Sequence, residues 1–233
     1  MSMDVKSTAE LDEEAIPAWK RQSMQRSLRS ARARVHARSD RFVAAGMRLL
    51  REKGSTDFTV QDVVDRSRMS IRTFYKYFGS KEDLLLAVYE TVVAREAVPR
   101  LRKRIARIRD PLLRLKGYIE ALVELTEGTG PVGRMLIHYQ NRLAETRPAD
   151  LATAMKPQFT LLMELIRDIA ATQPLRPDLT VETAARLTHY TVLAAVHGRA
   201  LGSEGAVDVA AQTTWRFCVS GMGFSFTPAR KRA

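Results

Sequence analysis

The 233-residue chain has a single cysteine, Cys218, so no internal disulfide can form, which fits a reducing compartment. No run approaches the roughly 18 consecutive apolar residues of a membrane-spanning helix. The N-terminus lacks the apolar core of a signal peptide. A cytoplasmic protein without a membrane partner is expected. Histidine is scarce too, with only His36, His138, His189 and His197. His189 and His197 share a helical face but stand about 12 Å apart along the axis, too far for one metal ion. Cys218 has no base beside it in an apolar stretch and reads as a buried thiol. No phosphate loop, nucleophile elbow or zinc spacing is present. No catalytic residue, metal ligand or cofactor is therefore assigned, and an enzyme is not expected. Strand-period alternation and internal repeats are missing as well.

What the chain has is positive charge. The formal net charge is +12, which points to an anionic partner, nucleic acid or an anionic surface. The excess is unevenly placed. Residues 91–116 hold nine basic and two acidic side chains, whereas residues 117–223 hold nine and eleven. All five acids of residues 1–38 lie before position 15, so 20–38, "KRQSMQRSLRSARARVHAR", carries seven cations and no acid. Met24, Leu28, Ala31 and Val35 recur there at helical spacing, so a basic amphipathic helix and a solvated charge run both fit. The run "REAVPRLRKRIARIRD" is open between a solvated helix face and a site for an anionic ligand or acidic partner.

Hydrophobic residues make up 45% of the chain, enough for a core, and they recur at helical spacing. Phe42, Ala45, Leu49 and Leu50 form an inward stripe that Gly54 ends. "TVQDVVDRS" opens with Thr59 as cap and Asp62 three positions on, a capping-box variant. After a break at 66–70 comes "IRTFYKYF", for which Gly79 suits the C-terminal cap. Ser80 then caps a longer helix with Glu82 and Asp83 in its first turn, and Pro99 is expected to kink or break it. Later helix starts are legible at Asp110-Pro111, Gly130-Pro131, Pro148 and Thr180, with a last apolar helix from Asp208 to about Phe224. The expected fold class is all-α, with about nine helices.

Three short helices between residues 40 and 78, with a break between the second and third, fit a helix-turn-helix, whose second helix enters the major groove. Phe74 and Phe78, four apart, would hold that helix on the scaffold, with Met69 under the turn. Ser70, Ile71, Arg72 and Thr73 then occupy the end where base edges are read, and Tyr75, Lys76 and Tyr77 flank it with phosphate-binding groups. Ile71 fits either the core or a thymine methyl. Lys81 stands at the start of the next helix, where an ammonium and backbone N–H groups both suit a phosphate.

The run "MSIRTFYKYFGSKEDLL", with Thr59-Val60 and Asp62-Val63-Val64 before it, resembles the DNA-binding segment of the tetracycline-repressor (TetR) family of bacterial transcriptional regulators. The resemblance covers residues 40 to 90. Where that family most often has Ala-Gly-Val in the turn, this chain has Ser67-Arg68-Met69, and Tyr77 stands where His is common. Residues 1–38 read as a flexible basic arm and 227–233 as a tail, and the resemblance implies a three-helix reading domain (39–85) and a larger helical ligand-binding and dimerisation domain (86–226) between them. It implies DNA contacts from Thr59, Ser70, Ile71, Arg72, Thr73, Tyr75, Lys76, Tyr77 and Lys81 to a pseudo-palindromic double-stranded operator. A homodimer through residues 180–200 and 208–224 is implied, with Ala194, Ala195, Ala210, Ala211, Gly221 and Gly223 allowing close helix approach. A hydrophobic or amphipathic effector would lie among Tyr118, Leu122, Met135, His138, Tyr139, Phe159, Met163 and His189, and would release a repressor from DNA. An activator, and a membrane-surface module built on the two basic runs, are the competing readings.

Overall fold

The computed structural model describes residues 17–128, 139–200 and 206–226, and among them every regular element is helical. The helices are α1 (Ala18–Lys53), α2 (Val60–Ser67), α3 (Ile71–Tyr77), α4 (Lys81–Thr91), a π-helical turn (Val92–Ala97), α5 (Val98–Ile105) and α6 (Pro111–Gly128). They continue with a helix at 139–146, α7, then α8 (Pro148–Ala170), α9 (Val181–Ala200) and α10 (Val207–Gly221). The expected all-α fold, with an N-terminal helix-turn-helix and a larger helical domain behind it, is borne out.

The local signals act as read. Thr59 Oγ1 accepts from the Asp62 N–H at 3.1 Å while Asp62 Oδ2 accepts from the Thr59 N–H at 2.7 Å. Ser80 and Thr180 accept from the backbone N–H of Asp83 and Thr183, each at 3.1 Å. Gly79 departs from expectation. α3 ends on Phe78 in an extended conformation, and Gly79 is not among the residues with positive φ. Its value is room: a Cβ there would lie 3.1 Å from Asp83 Oδ2.

Two further differences concern helix length. α1 begins at Ala18 rather than near Asp40, so 18–38 continues the first helix of the reading domain in one rod. Pro99 does not break the helix after α4. Proline has no N–H and its ring crowds the preceding turn, and the chain answers by widening into the π turn, with the Val98 N–H reaching back to the Val93 carbonyl. The helix then runs on through Ile105.

The core of the reading domain is aromatic. Phe42 of α1 meets Phe74 edge-on at 5.4 Å and Phe78 at 6.2 Å, and Phe42 and Phe74 are fully buried. Truncating such a ring costs about 3–5 kcal/mol. α4 crosses α1 at Gly46, where a Cβ would meet Val88 Cγ2 at 3.3 Å. Behind it, α6, α8, α9 and α10 bury Leu115, Ile119, Leu162, Ile166, Ala185 and Trp215. The indole N–H of Trp215 donates to the Leu112 carbonyl at 3.2 Å, so the polar end of this buried ring is satisfied.

Candidate nucleic-acid interface

α3 has seven residues and two sides. Phe74 is fully buried, and Thr73 and Tyr77 are half-buried, the Tyr77 ring 6.5 Å from Phe42. Ile71 and Tyr75 are 47% and 55% exposed, and Ser70, Arg72 and Lys76 are exposed beside them. Leaving an isoleucine and a tyrosine in water on so short a helix wastes apolar area unless a partner covers them. Ser70 starts the helix: its Oγ accepts from the Thr73 N–H at 3.2 Å and lies 2.8 Å from Thr73 Oγ1. The open question about Ile71 resolves towards the surface.

The remaining expected contacts have structural duties as well. Thr59 spends its backbone N–H on Asp62, whose carboxyl is held below its ordinary range, chiefly by that N–H. Lys81 donates to the carbonyls of Thr56 and Phe58, both at 3.1 Å, and its ammonium lies 5.5 Å from the Phe58 ring centre. It therefore ties the α1–α2 loop to the start of α4.

The turn holds a residue that sequence reasoning noted without assigning it a task. Arg68 has φ 55° and ψ 42°, the one non-glycine positive φ among the described residues. Its N–H donates to the Asp65 carbonyl and that of Met69 to the Val64 carbonyl, both at 3.3 Å. These two bonds form the Schellman closure, whose left-handed position usually holds glycine. α10 closes in the same way on Gly223, with φ 84°. A bidentate Arg66–Glu52 pair and the Arg41 guanidinium on the Ser67 carbonyl at 3.1 Å clamp α2 to α1. Between those helices lies a groove of about 820 Å³ lined by Arg41, Arg48, Glu52, Asp65 and Arg68. Its mixed charge does not suit an apolar effector.

The second candidate site lies behind the reading domain. Met135 and His138 fall outside the described residues. Tyr118, Tyr139 and His189 are buried, and Leu122, Phe159 and Met163 are half-buried against the core. Of these, Phe159 and His189 are in contact, with ring centres 5.0 Å apart. Tyr118 turns instead to Gln158, whose Nε2 donates to its hydroxyl at 3.3 Å. Met163 Sδ faces Arg167 at 3.9 Å. Sequence reasoning missed the residues that join the site together. The Tyr89 hydroxyl donates to Gln140 Oε1 at 3.1 Å and lies 3.0 Å from Met155 Sδ, and Gln140 Nε2 lies 3.3 Å from His189 Nε2. With its oxygen accepting from Tyr89, Gln140 turns its amide nitrogen to His189, an arrangement that suits an accepting ring nitrogen. Burial pulls the His189 pKa down to about 4 in the same sense. Desolvation likewise raises Tyr89, and raises Tyr139 to about 12.

α7 and Arg147, the residue that joins it to α8, grip α4 along its length. Besides Gln140–Tyr89, the Tyr139 hydroxyl donates to the Glu82 carbonyl at 3.2 Å and Arg147 pairs with Asp83 at 2.7 Å. The Arg147 bond holds the Asp83 carboxyl below its ordinary range. The basic run after α4 is partly neutralised within the chain: Arg102 pairs with Glu164 at 2.8 Å, Arg104 with Glu124 at 2.7 Å and Arg100 with Glu96 at 3.5 Å. Burial raises the Cys218 thiol to about 11. Among the described residues no three His, Cys, Asp or Glu side chains cluster as a metal site needs, and no helix is long and apolar enough to cross a membrane.

Comparison with known proteins agrees with this geometry. No curated protein sequence is detectably similar to the chain. FadR of Thermus thermophilus, a TetR-family transcriptional repressor solved with lauroyl-CoA, shares the fold with a TM-score of 0.63. It is 21% identical, and the match covers 82% of this chain and 98% of that one. RolR solved with resorcinol gives a TM-score of 0.67 at 16% identity, covering 83% and 91%. FadR of Bacillus subtilis with stearoyl-CoA gives 0.61 at 17% identity, covering 78% and 97%. Residues 42–88 match the family of bacterial regulatory proteins, tetR family. That segment spans α1 from its aromatic anchor through most of α4, so the likeness to bacterial regulatory proteins of the tetR family lies in the helix-turn-helix.

Proposed function

We propose that the protein is a dimeric repressor that reads a pseudo-palindromic operator with α3 and leaves it when a small molecule enters the domain behind. The exposed row Ser70, Ile71, Arg72, Tyr75 and Lys76 on a helix anchored by Phe74 and Phe78 carries the reading. Arg72 supplies a guanidinium for a guanine edge and Ile71 an apolar contact for a thymine methyl. Tyr75, Lys76 and the half-buried Thr73 and Tyr77 take phosphates. Thr59 stands exposed at the start of α2 for a phosphate, and Lys81 keeps its third ammonium proton for another. Residues 39–85 form the reading domain and 86–226 the effector and dimer domain.

Dimerisation is assigned to the outer faces of α9 and α10. Leu187, Tyr190 and Ala194 follow one another at helical spacing on α9, and Val209 and Phe217 lie exposed on α10. Tyr190 is 57% and Phe217 67% exposed, an apolar area that a second copy would cover. Large side chains dominate that patch, because Ala195, Ala210 and Ala211 are spent in the chain's own core.

The effector site is assigned to Phe159, His189, Gln140 and Tyr89. Acyl-CoA and resorcinol, the molecules held by the structural relatives, each pair an apolar body with polar groups, which suits aromatic rings beside a Tyr–Gln–His line. A molecule that takes Gln140 away from Tyr89 loosens the grip of α7 on α4 and so shifts the spacing of the two α3 helices. Selection of random duplexes by the purified protein, read by sequencing, tests this. An enriched palindrome supports the reading, and retention blind to sequence refutes it.

A further inference from the structure

The N-terminal extension of α1, from Ala18 to Arg38, precedes the residues that pack the reading domain. We propose that residues 20–38 are a second DNA-binding element, a basic helix lying along the phosphates that flank the operator. This rests on the reading above in one respect, that α3 faces DNA.

Four observations carry it. The segment is continuous with the reading domain, since α1 runs unbroken from Ala18 to Lys53. It leaves the domain beside the reading helix: Arg41 is bonded to the carbonyl of Ser67 at the end of α2, and Phe42 packs on Phe74 and Phe78. One turn before them, Arg38 is exposed, as are Lys20, Arg21 and Arg26 further out. Finally, the seven cations of 20–38 have no Asp or Glu among them. Residues 26, 29 and 32, and 34 and 38, are all arginines set three or four apart, so like charges repel along the helix. A polyanion relieves that repulsion. In the later basic run Arg100, Arg102 and Arg104 each pair with a glutamate.

The charge pattern favours DNA over a membrane surface. In the sequence the cations recur with no single helical period and only Met24, Leu28, Ala31 and Val35 make an apolar series, whereas a helix lying in a bilayer interface needs a broad apolar face. At 1.5 Å per residue the extension reaches about 30 Å, the length of about nine base pairs at 3.4 Å each.

The test uses the full chain and a variant with Lys20, Arg21, Arg26, Arg29, Arg32, Arg34 and Arg38 all changed to Gln. Binding to the selected operator is followed by fluorescence anisotropy from about 50 to about 200 mM salt. One duplex ends at the operator edge and another carries about ten further base pairs on each side. Each lost phosphate contact removes about 0.9 from the slope of log affinity against log salt. About three contacts per protomer would therefore lower a dimer's slope by about 5. We expect that loss, with wild type gaining affinity from the flanks, the variant gaining none, and base preferences unchanged. An unchanged slope and flank effect would overturn the proposal. So would binding of wild type but not variant to phosphatidylserine vesicles with the DNA slope unaltered. A wild type that selects no sequence, yet loses salt slope on substitution, would sink the operator reading while leaving this element standing.

Discussion

Replacing Arg68 by glycine should make the protein more stable and a poorer DNA binder. Arg68 closes α2 in the left-handed conformation, φ 55°, which costs a residue with a Cβ about 1–2 kcal/mol. Glycine removes that strain but gives back about 0.5–1 kcal/mol through its freer unfolded chain. The net expectation is a gain of about 0.5–1 kcal/mol, a rise in Tm of about 2 °C for a chain of this length. Nothing folded is lost with the side chain, which is exposed, and the two bonds of the turn come from backbone N–H groups. Arg68→Ala is the companion variant, because alanine keeps the strain and drops the charge. Differential scanning calorimetry should place Arg68→Gly above both wild type and Arg68→Ala. Because the exposed Arg68 stands three residues before α3, where a guanidinium can meet one phosphate per protomer, both variants should lose about 2 from the salt slope of operator binding. A glycine variant no more stable than the alanine one would refute the strain argument. Unaltered DNA binding in both would show that the guanidinium has no phosphate to meet.

The other expectations are independent of that turn. Phe217→Lys places a charge in the assigned dimer face twice over; with about 2 kcal/mol of burial lost per copy, sedimentation at micromolar concentration should show monomers, and an intact dimer would exclude that face. His189 is held neutral when folded, with a pKa of about 4 against about 6.5 unfolded. The unfolded chain therefore binds the extra proton, and stability should fall by up to about 3 kcal/mol as pH drops from about 6.5 to about 4. Urea melts of His189→Gln should lack that slope, and a slope equal to wild type would contradict the buried assignment. Lys81→Ala should lower Tm as well as DNA affinity because it frees the loop at Thr56 and Phe58, and a purely electrostatic loss with Tm unchanged would count against its structural role.

Much of the reading domain was legible because its signals are local. Thr59 and Asp62 lie three residues apart and cap each other, and Phe74 and Phe78 lie four apart on one face. The long first helix was not, since Ala18 follows Pro17 with no side-chain cap and a run of cations is compatible with helix or coil. The left-handed Arg68 was hidden because arginine carries no sign of positive φ. Pro99 reads as a kink or a break, and only the surrounding packing decides that the helix widens and continues. In the second site the missing residues were Tyr89 and Gln140. A lone glutamine signals nothing, and its partners lie 51 and 49 positions away.

Operator selection repeated with Arg72→Ala tests the central claim most directly. If α3 reads bases through its exposed row, the variant should enrich the same palindrome with preference lost at one symmetric pair of positions. Affinity for the correct base there should fall by about 1–3 kcal/mol, with binding to unrelated duplexes nearly unchanged. An equal loss on every sequence, with all preferences intact, would mean that Arg72 holds only a phosphate and that bases are read elsewhere.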